Sequence, residues 1–315
     1  LYSNIFVKKA GIVAPPSVTS NGGTKDKRCL RIVTYNVEWG FIDLPEGITH
    51  DSNKNKIPRG KRTQYKHLEL CAKNIGLLIP DVCFLQEIGS LKVLKHICKI
   101  IESLYGVKYK YYYSNNDIEG IQGVGLLMKE NMSSDIEYTV ELLPKLRNAI
   151  GIIFTYEGNL YKIAGVHLKS FFCSDDDSKK KSRLLKIQED QIGYIDEWIL
   201  SGEDADYVVV CGDFNNTPKS SSIKLMLDLK YVDIINTNKY VHNILNKKVT
   251  STGTYKKNNT EKEQNTRLDY IFTTDINICK SIHIINLERS SPDNINNDFR
   301  VQNSDHFPLL AVISI

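Results

Sequence analysis

From Cys29 onward, short apolar runs of strand length alternate with segments in which apolar residues recur every three to four positions. These two periodicities are those of β-strands and of amphipathic helices. The predicted strands are CLRIVTYN, VCFLQE, GVGLLMK, the hairpin AIGIIFTYEGNLYKIAGVHLKS, YVVVCG, RLDYIF and PLLAVISI. This alternation predicts an α/β protein in which two stacked sheets are flanked by helices.

Helices are predicted in three of the segments between the strands. The first has its apolar residues at Leu68, Ala72, Ile75 and Leu78, and it ends before Pro80. The second covers about residues 90–104. The third covers residues 183–199, and its apolar face consists of Leu184, Ile187, Ile192, Ile195 and Ile199. Each helix therefore has one face that can pack on a sheet.

The chain of 315 residues, 41% hydrophobic and 25% charged, can bury a core as one large domain or two small ones. Residues 1–28 contain Pro15-Pro16 and Asn21-Gly22-Gly23 without sustained periodicity, which predicts a flexible leader. We predict that residues 29–315 form a single domain. The polar segments 41–62 and 251–266 are predicted to be long loops, and loops of that length are usually functional or mobile.

Composition excludes several classes of protein. The longest apolar stretches are far shorter than the roughly 18–20 residues of a membrane span, so we expect a soluble protein. We also expect a monomer. Seven cysteines without a C-x-x-C pair predict neither a zinc site nor a disulfide framework. The net charge of +4 is compatible with a phosphate-bearing partner. The sequence begins with Leu1, so the localisation stays open and includes secretion or export.

Polar residues of the types used in catalysis stand at or just beyond the ends of the apolar runs. They are Asn36 and Glu38 in TYNVEW, Glu87 in LQE, His167 in GVHLKS, Asp213 and Asn215 in GDFNNTP, and Asp305 with His306 in SDHFP. Asp269 in RLDYIF lies within its predicted strand. Such residues at the ends of several strands are candidates for one common site.

Each residue also has an ordinary structural interpretation. Asn36 could cap a turn, Glu87 could be an exposed loop carboxylate, and His167 could be a hydrogen-bonded core histidine. Asp213 could cap a helix that begins at Thr217-Pro218. Asp305 and His306 could be a local pair that only stabilises the last strand. The chain would lack a catalytic site only if all of these structural interpretations were correct at once.

The same residues supply the groups that hydrolysis of a phosphate ester needs. Glu87 could be the carboxylate that, together with waters, binds Mg²⁺. Asp213 could take the proton from the attacking water, with Asn215 projecting to the same side of an extended strand two residues later. His306, held by Asp269 or Asp305, could stabilise the developing charge. The residue types therefore indicate metal-assisted hydrolysis of a phosphate ester.

The ordered motifs TYNVEW, LQE, GVHLKS, GDFNNTP, LDYIF and SDHFP resemble those of the endonuclease/exonuclease/phosphatase superfamily. The resemblance runs from about Arg31 to the C-terminus. It implies a deoxyribonuclease I-like fold, which is a four-layer α/β sandwich of two packed mixed sheets flanked by helices. Residues 29–315 would then be a single catalytic domain with its site at one edge of the two sheets.

The resemblance also implies roles for individual residues. Glu87 would bind Mg²⁺ or Mn²⁺, with Asp305 supporting the metal and Glu38 in a supporting position. Asn36 and Asn215 would hold metal-bound water or phosphate. The remaining implied catalytic residues are Asp213 as the base, His306 on the scissile phosphate, Asp269 as the partner that orients it, and His167. A histidine at the position of His167 is typical of the deoxyribonuclease I-like and sphingomyelinase-like branches.

Three functions remain open from the sequence. A nuclease would use Arg59, Arg62 and Lys169 on the phosphate backbone and Tyr255 to stack on a base. A phospholipid phosphodiesterase or phosphoinositide phosphatase would need an apolar lip, for which the segment FIDLPEGI at 41–48 is a candidate. A catalytically silent binding module is the third. The intact set of polar residues favours an enzyme, and the basic residues favour a nuclease.

Overall fold

A computed structural model of the chain describes residues 29–42, 61–114, 122–132, 137–139, 149–170, 178–237, 253–256, 263–284, 306 and 308–314. The predicted leader at 1–28 and most of the segment 41–62 lie outside the described residues. The division into a leader and one domain therefore stays a prediction.

The first sheet has six strands, and its two central strands carry candidate site residues. Its members in chain order are β1 (Cys29–Gly40), β2 (Val82–Ile88), β3 (Tyr109–Ser114), β4 (Gly123–Lys129), β13 (Cys279–Ile284) and β14 (Leu309–Ser314). Their order in space is β13-β14-β1-β2-β4-β3, and the central pair β1 and β2 is parallel. The carboxyl ends of β1 and β2 therefore lie at the same edge of the sheet.

The second sheet also has six strands and repeats this arrangement. Its members are β5 (Glu137–Thr139), β6 (Ile150–Tyr156), β7 (Asn159–His167), β8 (Tyr207–Asp213), β9 (Val232–Asp233) and β12 (Asp269–Thr273). Their order in space is β5-β6-β7-β8-β12-β9. β7 and β8 run parallel and end in register at His167 and Asp213, whereas β12 runs antiparallel to β8.

Helices cover the outer face of each sheet. They are α1 (Lys61–Leu78), α2 (Leu91–Tyr105), α3 (Ser178–Leu200) and α4 (Ser221–Asp228). One apolar core lies between the sheets, a second joins α1 and α2 to the first sheet, and a third joins α3 and α4 to the second sheet. The predicted four-layer α/β sandwich is thereby confirmed.

The strand periodicity explains how one strand serves two cores. In β8, Val209 and Cys211 are buried between the sheets, whereas Val208 and Val210 are buried against the helices. Side chains alternate between the two faces of a strand, so a continuous apolar run can be buried on both sides. This double burial fixes β8, and with it the position of the polar residues at its carboxyl end.

Three predicted boundaries were wrong. β1 does not end at Asn36 but continues to Gly40, and its pairing with β2 shifts in register between Asn36 and Gly40. α3 begins at Ser178 rather than 183, because its first turns are polar and solvent-exposed. The segment 251–266 is not a loop throughout, since β10 (Gly253–Lys256) and β11 (Glu263–Thr266) pair there as an antiparallel ribbon. Backbone hydrogen bonds form this ribbon without an apolar pattern in its sequence.

None of the helices in the described part of the chain is long and apolar enough to cross a membrane.

Candidate active site

Asn36, four residues before the end of β1, and Asp213, the last residue of β8, meet across the two sheets. Asn36 Nδ2 donates to Asp213 Oδ2 over 2.9 Å and to Glu87 Oε1 over 3.2 Å. A single carboxamide therefore connects the two carboxylates, one from each sheet. Because Asn36 and Asp213 are each 1% exposed, this connection lies inside the protein.

Steric constraints require a glycine at position 212, directly before Asp213. Gly212 has a φ of 147°, and a Cβ placed there would lie 2.0 Å from the backbone oxygen of Val166. No side chain fits in that space, and the positive φ is rarely adopted by residues other than glycine. Gly212 therefore lets β8 approach β7 closely at the point where His167 and Asp213 become neighbours.

Asp213 is an unusually basic carboxylate. Burial, which penalises the charged form, raises its pKa to about 7. The nearby Asp269 acts in the same direction, whereas His306 and the hydrogen bonds from Asn36 and Asn215 oppose the rise in pKa. Asp213 can therefore exchange a proton close to neutral pH, which is the property of a general base.

His306 lies between two buried aspartates. Its Nδ1 donates to Asp269 Oδ2 over 2.7 Å, and its Nε2 lies 3.9 Å from Asp213 Oδ2. Asp269 is the first residue of β12 and is paired in register with Asp213, so the prediction that it lies within a strand is confirmed. His167 Nε2 lies 3.7 Å from the same Asp213 oxygen. Two imidazoles and two carboxylates thus form one cluster.

Glu87 occupies the other end of the site. It is half-buried, has a φ of 63°, and its Oε2 accepts a 2.7 Å hydrogen bond from Gln122 Nε2. The interpretation as an exposed loop carboxylate is therefore wrong. Glu38 is half-buried, and its backbone N–H donates to Asn36 Oδ1 over 3.0 Å. The N–H of Glu38 thus orients Asn36, and the side chain of Gln122 orients Glu87.

The donor set fits a hard divalent cation. The Glu87 carboxylate and the Asn36 amide oxygen are the oxygen ligands that Mg²⁺ and Mn²⁺ prefer. Asp213, Asp269 and His306 form a second group whose ligand atoms lie within 4.8 Å of one another. In that group His306 Nδ1 is already engaged by Asp269, which favours an acid/base role for the pair. Glu87 and Asn36 remain candidate cation ligands, and their oxygens also accept hydrogen bonds, from Asn36 and Gln122 to Glu87 and from the Glu38 N–H to Asn36.

For the segment after β8, one prediction, the direction of Asn215, and one alternative interpretation, the capping of a helix by Asp213, were wrong. β8 ends at Asp213, and Asn215 has a φ of 51°, so strand alternation does not aim Asn215 beside Asp213. Instead the Asn215 N–H donates to Asp213 Oδ1 over 2.7 Å, and its Nδ2 donates to the Leu168 oxygen over 3.0 Å. Helix α4 is capped by Ser220 rather than by Asp213. Asn215 therefore joins the segments that follow β7 and β8.

The remaining predicted residues are only partly described. Asp305 and Arg59 lie outside the described residues. Arg62 and Tyr255 lie in α1 and β10, but their side chains are not described. Lys169 is exposed and follows His167 by two residues. Of the four predicted substrate contacts, Lys169 is thus the one with a described position next to the cluster.

Sequence reasoning missed several buried amides. Gln122 contacts Glu87, and Gln188, Gln191 and Asn216 connect α3 with the segments after β7 and β8. A signal was present in α3, because Gln188 lies four residues after Leu184 and Gln191 lies four before Ile195, on the face predicted to be apolar. A polar residue on such a face is buried and needs hydrogen-bond partners.

The fold and the site together define a four-layer α/β sandwich with an acid/base cluster at one edge of its two sheets. The sequence model of the Endonuclease/Exonuclease/phosphatase family matches residues 33–288, which is most of the chain. The chain therefore belongs to this family. Its members are hydrolytic phosphoesterases, so the chain is an enzyme of that class and not a silent binding module.

Solved structures show the same fold at low sequence identity. An endonuclease/exonuclease/phosphatase family protein from Leptotrichia buccalis C-1013-b is 16% identical, with a TM-score of 0.60 over 91% of this chain and 100% of that chain. D. rerio TDP2 complexed with single strand DNA product is 15% identical, with a TM-score of 0.60 over 91% and 99%. A mannosyl-6-phosphatase from Bacteroides thetaiotaomicron VPI-5482 is 14% identical, with a TM-score of 0.59 over 91% and 100%. No curated protein matches the chain.

Proposed function

We propose that the chain is a Mg²⁺-dependent phosphodiesterase that hydrolyses phosphodiester bonds of DNA or RNA. The observation that carries the proposal is the position of His306 between Asp269 and Asp213, with Asn36 joining Asp213 to Glu87. A base, an oriented imidazole and an oxygen-ligand pair thus stand within one connected set of contacts. These are the groups that hydrolysis of a phosphate ester requires.

Glu87 and Asn36 would hold the cation, with Asp305 in support, and Mn²⁺ is an alternative occupant. When bound, a divalent cation neutralises charge on the phosphate oxygens and helps to orient the substrate. The hydrogen bonds from Asn36 and Gln122 to the two Glu87 oxygens fix the direction of this carboxylate. Such fixed ligands reduce the cost of ordering the site when the cation binds.

Asp213 would accept the proton of the attacking water, because its pKa of about 7 makes it a competent base near neutral pH. His306 would donate from Nε2 to the scissile phosphate while Asp269 holds Nδ1. His167, on the other side of the same Asp213 oxygen, would stabilise negative charge during the reaction. Asn215 would contact the phosphate from the segment after β8.

One observation is compatible with a nucleic-acid substrate, and a second counts against a phospholipid. Lys169 is exposed next to His167, where a cation can contact a phosphate backbone. Phe41 and Ile42, two apolar members of the predicted lipid-facing lip, are buried at 3% and 4% exposure. These two side chains are therefore not available to contact a lipid. The DNA product in the TDP2 structure is consistent with a nucleic-acid substrate on this fold.

The phosphomonoesterase alternative is supported by the mannosyl-6-phosphatase that shares the fold. The experiment that separates the alternatives is a Mg²⁺-dependent hydrolysis panel of single- and double-stranded DNA, RNA, sphingomyelin, phosphoinositides and mannose 6-phosphate. The proposal predicts the highest kcat/KM on a nucleic acid. Preferred hydrolysis of a lipid or of the sugar phosphate would contradict it.

A salt series adds a second test of the substrate class. Binding of a nucleic acid weakens steeply with salt, because each phosphate contact releases counterions. Lys169→Ala should weaken binding of the nucleic acid and reduce the salt slope by about one contact. Lys224→Ala, which changes an exposed lysine of α4, is the matched control. An unchanged slope for Lys169→Ala would remove that residue from the proposed contact.

A further inference from the structure

We propose that Gln188 and Gln191 of α3 are positioning residues that hold the two segments after His167 and Asp213 in one fixed arrangement. The inference rests on the proposed function for its catalytic consequence. Its structural part stands on the contacts of the two amides. Both side chains are buried, with exposures of 0% for Gln188 and 4% for Gln191, and neither contacts the acid/base cluster directly.

Gln188 binds both segments at once. Its Nε2 donates to the backbone oxygen of Lys169 over 2.7 Å and to that of Phe214 over 3.3 Å. Its Oε1 accepts a 2.8 Å hydrogen bond from Asn216 Nδ2. The amide of Gln188 thus makes two donor contacts and one acceptor contact. One is with Lys169 after β7, and the other two are with Phe214 and Asn216 after β8. An apolar side chain could fill the same volume but could not connect the two segments.

Gln191 completes the attachment of the first segment. Its Oε1 accepts a 2.9 Å hydrogen bond from the Lys169 N–H, so the two glutamines hold both backbone polar groups of Lys169. The preceding residue is held from the other side, because the Leu168 N–H donates to the backbone oxygen of Asp213 over 2.9 Å. The backbone next to His167 is therefore fixed, while the Lys169 side chain remains exposed.

The second segment is held on both sides of Asn215. Gln188 binds the Phe214 oxygen before it and the Asn216 side chain after it, and Tyr270 Oη donates to the Asn216 oxygen over 3.0 Å. Asn215 has a left-handed φ of 51°, which costs free energy in a residue other than glycine. These contacts stabilise that conformation, in which the Asn215 N–H reaches Asp213 Oδ1.

Burial of two amides on an otherwise apolar helix face is not needed to attach α3 to the sheet. Buried polar groups gain little net stability, because hydrogen bonds to water are lost on folding. At the other end of α3, Lys162 of β7 donates from Nζ to the backbone oxygens of Ile199, over 3.0 Å, and Ser201. Lys162 therefore attaches the far end of the helix through comparable polar contacts and offers a matched control.

The test compares Gln188→Met with Lys162→Met. Methionine has nearly the volume of glutamine but cannot replace its amide hydrogen bonds. Amide hydrogen exchange is measured on the metal-free proteins, and kcat and KM are measured on the best substrate of the wild-type protein. Gln188→Met should speed exchange about tenfold or more in peptides covering 167–170 and 213–217, because local opening becomes easier. Lys162→Met should leave these peptides as in the wild type.

The kinetic expectation for Gln188→Met is a fall in kcat of about tenfold to a hundredfold with a smaller change in KM, because misplaced groups lose transition-state contacts. Unchanged kcat in Gln188→Met would overturn the catalytic part.

Exchange that is equal in the two methionine variants would overturn the positioning role whatever the activity. If the wild-type protein hydrolysed nothing in the panel, the proposed function would fail, whereas the exchange comparison would still decide whether Gln188 fixes these segments.

Discussion

Asp213 and Asp269 face each other as register partners where β8 ends and β12 begins, and both carboxylates are 1% exposed. Two buried carboxylates at neighbouring positions repel each other when both are charged. His306 lies against both, at 2.7 Å from Asp269 Oδ2 and 3.9 Å from Asp213 Oδ2. The antiparallel pairing of β8 and β12 therefore creates the site at which one histidine interacts with two acids.

Replacement of Asp269 tests whether His306 must be oriented by a carboxylate, because the histidine itself stays in place. Asp269→Asn removes the negative partner of Nδ1, and we expect kcat/KM to fall by about a hundredfold or more, as for the loss of an acid/base group. Steady-state kinetics on the best substrate measure the effect. Asp275→Asn, just beyond the other end of β12 where Asp275 caps a short 3₁₀ turn, is the control and should change kcat/KM little. Equal kinetics for the two variants would refute the orienting role.

Asp213 should destabilise the metal-free protein as the pH rises. Below about pH 4 the carboxyl is protonated in both the folded and the unfolded state and makes no difference. Between about pH 4 and 7 the folded state keeps a proton that the unfolded state releases, since the folded pKa is raised to about 7, so stability falls with rising pH. Above that range both states are ionised and the cost stays constant.

Asp213→Asn should therefore raise the Tm of the metal-free protein, and the increment should grow from pH 4 to 7 and then level off. Thermal unfolding in EDTA at several pH values measures it, with the exposed Asp206→Asn at the opposite end of β8 as the control. A pH-independent increment would show that the pKa of Asp213 is not raised.

Gly212→Ala should destabilise the protein by roughly 2 kcal/mol or more, because the added Cβ meets the Val166 backbone at a positive φ. Chemical denaturation measures the change in free energy of unfolding. Gly193→Ala in α3 is the control, since its Cβ meets nothing within 4 Å and alanine favours the helix by up to about 1 kcal/mol. The two changes should thus have opposite signs, and a tolerated Gly212→Ala would mean that β7 and β8 can separate at this point.

Glu87→Gln should weaken binding of Mg²⁺ or Mn²⁺ by tenfold or more, on the order of the loss seen when ligand support is removed. Titration calorimetry with the metal alone measures the affinity without reference to any substrate. Glu102→Gln, an exposed residue of α2 that faces Lys108, keeps the same chemical change away from the site. Unchanged affinity in Glu87→Gln would place the cation elsewhere.

The sequence predicted the architecture and the gathering of Asn36, Glu87, His167, Asp213 and His306, because polar residues of catalytic types stand at or beyond the ends of its apolar runs and the ordered motifs resemble those of one superfamily. It did not predict the direction of Asn215. That direction depends on a left-handed φ and on the Leu168 oxygen, which is distant in sequence. The alternation of side chains ends with β8 at Asp213, so it does not predict the direction of the Asn215 side chain.

The buried glutamines of α3 were missed for a related reason. A glutamine in a helix is usually solvated, and local sequence does not show that Lys169 and Asn216 lie within reach of Gln188. The ribbon of β10 and β11 was missed because its strands are polar and lack the alternation by which strands are recognised. Both features depend on contacts between segments rather than on composition.

The central claim is that Asp213 and His306 catalyse metal-dependent hydrolysis of a phosphodiester. The most direct measurement is kcat/KM with Mg²⁺ on the preferred nucleic acid for the wild type, Asp213→Asn, His306→Ala and the control Asp206→Asn. The account predicts a loss of about a hundredfold or more for the first two variants, abolition by EDTA, and wild-type kinetics for the control. Folded Asp213→Asn and His306→Ala proteins that retain wild-type kcat/KM would contradict it.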